Sequence, residues 1–377
     1  MNAAMMLVCF AGSQTLGQQE TVFKSPLIEV RTETREGKDF SSLYYNRVNL
    51  GRQYHKSNDE PDLHRLPTTY FHDKSPIGII LKNPNWFPAK DAPPVAVLGM
   101  DIGTLAAYAK KGQDFHFTER VPTLCKLSFP DKGEKRYFTF VQDAVDRGAK
   151  VKVFEGEPRE MLEKNGKDKF YKVIVVESYK LPVVEIHKEL MTKEGLQLLM
   201  SKVREDGIVA FHTSSRYYDL NPIIASAANE LKYACVGSAD RGYDDDPTNE
   251  FRFNSYWVMV ARDAKHLAHL KNDDTNRIDW HPPNHQLVTR GKVKESAVDK
   301  QFLWTDKGEQ SFRGLYYADP EIDKLYDVLN RLEGCLANYN IHPPRQVGKA
   351  LRGTIEAWSA ASAERLNREP TKDKTPE

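Results

Sequence analysis

Val95-Ala-Val-Leu-Gly-Met-Asp-Ile-Gly-Thr-Leu-Ala-Ala-Tyr-Ala109 decides how the chain is read, because it runs from an apolar strand through a glycine turn straight into a helix. Val95 to Leu98 is the kind of short apolar run a central parallel strand needs when both its faces are covered. Gly99 and Gly103 bracket the turn, and Thr104 is placed to cap a helix over Leu105 to Lys110. Such a corner aims backbone N–H groups and a positive helix end at whatever lies above it. A G-x-x-x-G spacing also occurs in corners that bind nothing, so the following strands must decide.

From Val95 onward, strands alternate with helical stretches. Phe115 to Glu119 is a second strand, Val151 to Phe154 a third running into Glu155-Gly-Glu157, Tyr171 to Val176 a fourth running into Glu177, and Gly207 to His212 a fifth. This alternation implies a parallel sheet with right-handed crossovers. Gly99, Glu119, Glu157 and Glu177 then all stand at carboxyl ends of strands, where open α/β sheets bind ligands. Glu119 follows the glycine turn by about 20 residues, the place of an acid that accepts ribose hydroxyls in a nucleotide-binding sheet.

Upstream, Leu27 to Thr34 and Ser42 to Val48 read as two strands of a small antiparallel sheet. Two polar-aromatic segments follow, Leu50 to His55 and Leu66 to His72, suited to a lid or substrate wall. Ser75 to Lys82 starts a short helix, and proline-rich Asn83 to Pro94 links it to the opening strand. Downstream, Tyr256 to Arg262 is a late strand, antiparallel in sense, and Phe302 to Asp306 a loop packed on the core. Two amphipathic helices, Pro320 to Tyr339 and Gln346 to Leu366, precede a disordered tail. The fold class is thus α/β, a Rossmann-like doubly wound, mostly parallel sheet preceded by a small N-terminal antiparallel β-domain. The divisions are a leader over 1–24, the β-domain over 25–82, the Rossmann-like domain over 83–310, helices over 311–366 and a tail over 367–377.

With 377 residues, 28% charged, 40% apolar and a net charge of +1, the chain carries no basic field for nucleic acid or anionic membrane. Cys9, Cys125, Cys235 and Cys335 form no C-x-x-C pair, which points to a reducing compartment rather than a disulfide framework or zinc site. Asp244-Asp-Asp246 reads as a solvated loop, and His266, His269, His281, His285 and His342 as surface histidines, so no metal is expected. Ala3 to Gly12 is too short to span a bilayer, which needs roughly 20 residues. With no Lys or Arg before it, it is a poor secretory signal. A cytoplasmic protein is expected; the segment is otherwise the remnant of a membrane region.

From about Leu50 to about Asp306 the chain resembles the spermidine synthase-like family, aminopropyltransferase relatives of S-adenosylmethionine-dependent methyltransferases, and in particular the bacterial branch in which this domain follows a membrane region. Gly51-Arg-Gln53 is similar to the family's Gln-bearing turn, and Pro67-Thr-Thr-Tyr70 to its substrate-side tyrosine segment. Gly99 to Ala109 is similar to its nucleotide-binding turn, and Ile208 to Ser214 and Phe302 to Asp306 to later blocks. The resemblance implies a cleft for S-adenosylmethionine or its decarboxylated form as co-substrate, a small amine such as a polyamine as acceptor, and a homodimer. It implies Gly99, Asp101, Gly103, Thr104, Glu119 and Glu157 on the cofactor side, Gln53 and Tyr70 on the substrate side, and Glu177 where the family carries its catalytic aspartate.

Three residues depart from that pattern. Asp101 occupies a position that is glycine in the family and crowds the turn, Glu177 is one methylene longer than aspartate, and Lys180 stands where a second acid is expected. Two readings follow: transfer of an aminopropyl or methyl group with Glu177 as base, or a non-catalytic member of the fold that binds a ligand or a protein. A nicotinamide-dependent oxidoreductase shares the same grammar but not the blocks after Glu119.

Overall fold

The computed structural model describes residues 19–35, 37–45, 48–177, 187–215, 219–240, 251–271, 278–281, 302–308 and 310. Lys180, Asp244 to Asp246, His285, His342, the segment Ala3 to Gly12, both C-terminal helices and the tail lie outside them. The chain divides into two compact units, and the larger, 17–214 with 220–310, holds every element below.

This unit opens on a four-stranded antiparallel meander: β1 (Gln19–Lys24), β2 (Ile28–Arg35), β3 (Lys38–Tyr45) and β4 (Val48–Tyr54). The sheet is larger than predicted. Gln19 to Lys24, assigned to the leader, is a strand on the edge of the sheet, where its polar composition is tolerated. Leu50 to Tyr54, expected to hold a turn at Gly51-Arg-Gln53, is instead strand, pairing Ser41 with Gln53 and Leu43 with Gly51. Glycine at 51 lets β4 approach the glycine turn: a Cβ there would lie 2.7 Å from Ile102 Cδ1.

The main sheet contains β5 (Val95–Leu98), β6 (Asp114–Glu119), β7 (Lys150–Glu155), β8 (Tyr171–Glu177), β9 (Val203–His212), β10 (Ala234–Asp240), β11 (Ser255–Ala261) and β12 (Ile278–His281). Their order is β12-β10-β11-β9-β8-β5-β6-β7. The strands from β5 to β9 are parallel, and β11 is antiparallel to both β9 and β10. Every residue of β5 and β8 is buried, which explains the apolar runs Val95–Leu98 and Val173–Val176. Each such side chain contributes about 1.5–3 kcal/mol of burial.

The chain leaves β5 toward β6 and β7, then returns to β8 on the other side of β5. The order reverses there, which makes the carboxyl ends of β5 and β8 the switch point of the sheet, the place where open α/β sheets bind ligands. Around the sheet lie α1 (Pro76–Lys82), α2 (Pro122–Ser128), α3 (Phe140–Asp146), α4 (Pro158–Asn165), α5 (Lys188–Met191), α6 (Lys193–Lys202) and α7 (Asn221–Glu230). Ser75 caps α1 by accepting the Gly78 N–H at 3.2 Å, as the Ser-Pro start predicts. No helix of the described residues is long and apolar enough to cross a membrane. Cys125 and Cys235 are free, and burial pushes both thiols up to about 12, so neither is a reactive thiolate.

Candidate functional site

The turn after β5 differs from the predicted corner in one respect. Thr104 does not cap an α-helix: residues Thr104–Tyr108 form a 3-10 helix whose N-cap is Gly103. Gly103 has φ 76°, left-handed rather than the extended conformation of a side-chain cap, so Thr104 falls inside the helix. A Cβ on Gly103 would meet Val141 Cγ2 of α3 at 2.7 Å. Five residues of 3-10 helix give little macrodipole, and the electrostatics of the turn come from side chains instead.

Glu119 supplies them. Its carboxylate is fully buried; Oε2 accepts the N–H groups of Met100 at 3.0 Å and Asp101 at 3.3 Å, and Oε1 accepts that of Val121 at 2.9 Å. The acid expected at the ribose thus sits under the glycine turn and fixes its shape through charge-assisted bonds. Asp101, at the tip, is buried and has φ 51°, a left-handed conformation that aspartate tolerates better than most residues.

Gly99 brings this turn to Glu177. With φ 108° and no side chain, it lets the turn pass so close that a Cβ would lie 2.6 Å from Glu177 Cβ. Glu177, at the carboxyl end of β8, is register partner of His212 at the carboxyl end of β9. His212 Nδ1 and Glu177 Oε2 are 2.8 Å apart, and both side chains are buried. An ionised carboxylate only accepts, so Nδ1–H is the donor in that state. Glu177 Oε1 is buried with no hydrogen-bond partner.

Aromatic rings wall this pair. The His212 ring stacks on Trp257 at 4.5 Å and 20°, with Tyr70 at 5.0 Å and Phe71 at 6.0 Å. Tyr108, from the 3-10 helix after the glycine turn, donates its hydroxyl to the Phe71 carbonyl at 2.5 Å. The adjacent Thr69 has φ 58°, unusual for a β-branched residue, and bridges in parallel with Arg252. Arg252 is buried and forks onto buried Asp240, with Nη2 at 2.6 Å from Oδ1 and Nε at 3.2 Å from Oδ2. The segment carrying Tyr70 is therefore held from both sides. Burial lowers the neighbouring His72 to a pKa of about 4.

Two of the predicted site residues stand apart from this pair. Gln53 is an internal clamp: its Nε2 donates to the His64 carbonyl at 2.8 Å and to Thr139 Oγ1 at 2.9 Å, while Oε1 accepts the Thr139 N–H at 2.7 Å. Its amide thus fixes the start of α3, which backs Gly103. Glu157, at the N-cap of α4, is half exposed, stands 3.8 Å from Arg120 Nη1, and groups with His187 and Glu189. The residue that sequence reasoning missed is His212. Its signal was its place as last residue of the fifth strand, the position that drew attention to Glu177 one strand away.

An open doubly wound sheet with a glycine turn and a buried acid–imidazole pair at its switch point is a Rossmann-like α/β architecture. No family model matches the sequence, and no curated protein does. Among solved structures, the chain is similar to a probable spermidine synthase from Corynebacterium glutamicum, with a TM-score of 0.47, 12% identity, and coverage of 77% of this chain and 96% of that one. It is also similar to spermidine synthase from Thermotoga maritima, at 0.40, 12%, 67% and 79%. A precorrin-6y C5,15-methyltransferase from Geobacter metallireducens matches at 0.32, 12%, 50% and 88%.

Proposed function

We propose that the chain is a spermidine synthase-like transferase that moves an aminopropyl or methyl group from an S-adenosyl donor to a small amine, with Glu177 as base. The observation that carries this reading is the buried Glu177 carboxylate: one oxygen is tied to His212 Nδ1, the other has no partner, and the pair sits beside Gly99 at the sheet's switch point.

The chemistry asks little of the protein. The sulfonium of the donor is already a good leaving group, so the site must align the amine and keep its nitrogen unprotonated. The amine nitrogen bonds to the carbon beside sulfur, the C–S bond breaks with its electron pair staying on sulfur as a neutral thioether, and the nitrogen's proton passes to Glu177. His212 holds the carboxylate in place, and the wall of Tyr70, Phe71 and Trp257 excludes water from the nitrogen.

The test is an assay with S-adenosylmethionine or its decarboxylated form and a diamine, reading the released thioether. Glu177→Gln keeps the volume and is expected to lower transfer by about 10²–10⁴-fold with the fold intact. Activity that survives this change places the base elsewhere.

A second reading rests on the turn itself. Glu119 is engaged by Met100 and Asp101 N–H groups, and the Asp101 side chain is buried at a position where the family approaches its ligand with glycine. A chain with that turn keeps the fold as a non-catalytic ligand-binding or interaction module. Donor binding without turnover under any amine supports it.

A further inference from the structure

Away from Glu177, three side chains converge, and of these only Glu157 has a role implied for it, on the cofactor side. Glu157 follows β7, while His187 and Glu189 stand at the entry to α5. Each offers one ligand atom, and the three atoms lie within 4.8 Å of one another.

His187 makes the grouping more than a patch of acids. Its imidazole is 98% buried, yet neither ring nitrogen has a hydrogen-bond partner. Nδ1 is 3.4 Å from Glu189 Oε1, itself buried and without a hydrogen bond. Buried polar atoms are almost always satisfied, so a buried imidazole with neither nitrogen hydrogen-bonded, beside a carboxylate oxygen in the same state, calls for a further partner. A tetrahedral ion with bonds of about 2.1 Å sets its ligand atoms about 3.4 Å apart, which is the separation already present between Nδ1 and Oε1. Glu157, half exposed, offers the third ligand atom, within 4.8 Å of the other two.

We infer that Glu157, His187 and Glu189 bind a first-row divalent cation of the Zn²⁺ or Mn²⁺ kind, with water completing its coordination. One imidazole with two carboxylates is too oxygen-rich for a thiophilic ion and too nitrogen-bearing for Mg²⁺ or Ca²⁺. Two carboxylates and a neutral imidazole balance a charge of +2. Arg120, whose Nη1 is 3.8 Å from Glu157 Oε2, holds that carboxylate without the ion and competes with it. Exposure on one side and this competition point to a micromolar site rather than a tightly closed one. Glu157 is distant in sequence from His187 and Glu189, which is why no ligand pattern such as H-x-x-x-H reveals the three.

The test titrates the full-length protein with MnCl₂ and follows free Mn²⁺ by electron paramagnetic resonance, with ZnCl₂ as displacer. One ion per chain is expected in the micromolar range, displaced by Zn²⁺. Glu157→Gln, on an exposed side chain that leaves the core alone, is expected to weaken binding on the order of tenfold or more. Arg120→Ala is expected to tighten it. No saturable Mn²⁺ binding, or binding equal in the wild type and Glu157→Gln, overturns the inference. The readout is the ion and not turnover, so its failure leaves the transfer reading untouched, and failure of transfer leaves the site untouched.

Discussion

Gly99 and Glu177 touch across the switch point of the sheet, and a Cβ on Gly99 would lie 2.6 Å from Glu177 Cβ and 3.2 Å from its Cγ. At φ 108° any other residue is strained as well. Gly99→Ala is therefore expected to destabilise the protein by about 2–4 kcal/mol, from overpacking and backbone strain together. Urea denaturation measures it. A change below about 0.5 kcal/mol would mean that the turn has room the structure does not show.

The buried Arg252–Asp240 pair fixes the strand bridge to Thr69 and so the wall residue Tyr70. Removing one partner leaves an uncompensated buried charge. Arg252→Met is expected to cost about 3–5 kcal/mol, read from the same denaturation curves. Asp240→Asn with Arg252→Met should recover part of the loss, because the stranded charge is gone.

Acid sensitivity follows from histidines whose partial desolvation lowers their pKa. Burial lowers His72 from 6.5 to about 4, and it lowers His55, His116 and His269 in the same direction. Between those limits the unfolded chain binds the proton and the folded one does not. Stability is therefore full above about pH 6.5 and falls as pH drops toward 4, by at most about 3 kcal/mol for His72. His72→Asn should flatten the loss over that window when unfolding free energies are compared at pH 7, 5.5 and 4.5. An acid limb as steep as in the wild type would place the titration in other groups.

Asp101 makes the turn narrower than glycine would, and glycine accepts φ 51° without strain. Asp101→Gly is expected to strengthen donor binding several-fold in calorimetry, with stability changed by less than about 1 kcal/mol. Unchanged or weaker binding would show that the side chain does not border the donor.

The parallel half of the sheet was legible in the sequence because both its faces are covered. Val95 to Leu98 and Tyr171 to Glu177 are buried at every position, and such strands leave apolar runs, here Val95–Leu98 and Val173–Val176, that end at polar residues or glycine. β10, Ala234–Asp240, left no such mark: alanine, glycine, serine and aspartate are poor strand formers, and the segment is a strand because β11 and β12 pair with it on both sides. Of the site, Gly99, Glu119 and Glu177 were visible as strand ends. Gln53 was visible as a residue but not as a clamp, since its partner Thr139 is 86 residues away. His212 is at the same edge as Glu177, yet one histidine closing a strand carries no signal until register places it opposite an acid. The left-handed φ of Gly103, which denies Thr104 its capping role, depends on packing against α3 and has no local signature beyond the glycine itself.

Calorimetry of the full-length chain with S-adenosylmethionine, its decarboxylated form and 5′-methylthioadenosine tests the central claim most directly. If the carboxyl ends of β5 and β8, where Gly99 meets Glu177, form an S-adenosyl site, at least one of the three binds with a dissociation constant below about a millimolar, and Gly99→Ala weakens that binding. If none binds in that range, the transfer reading is wrong.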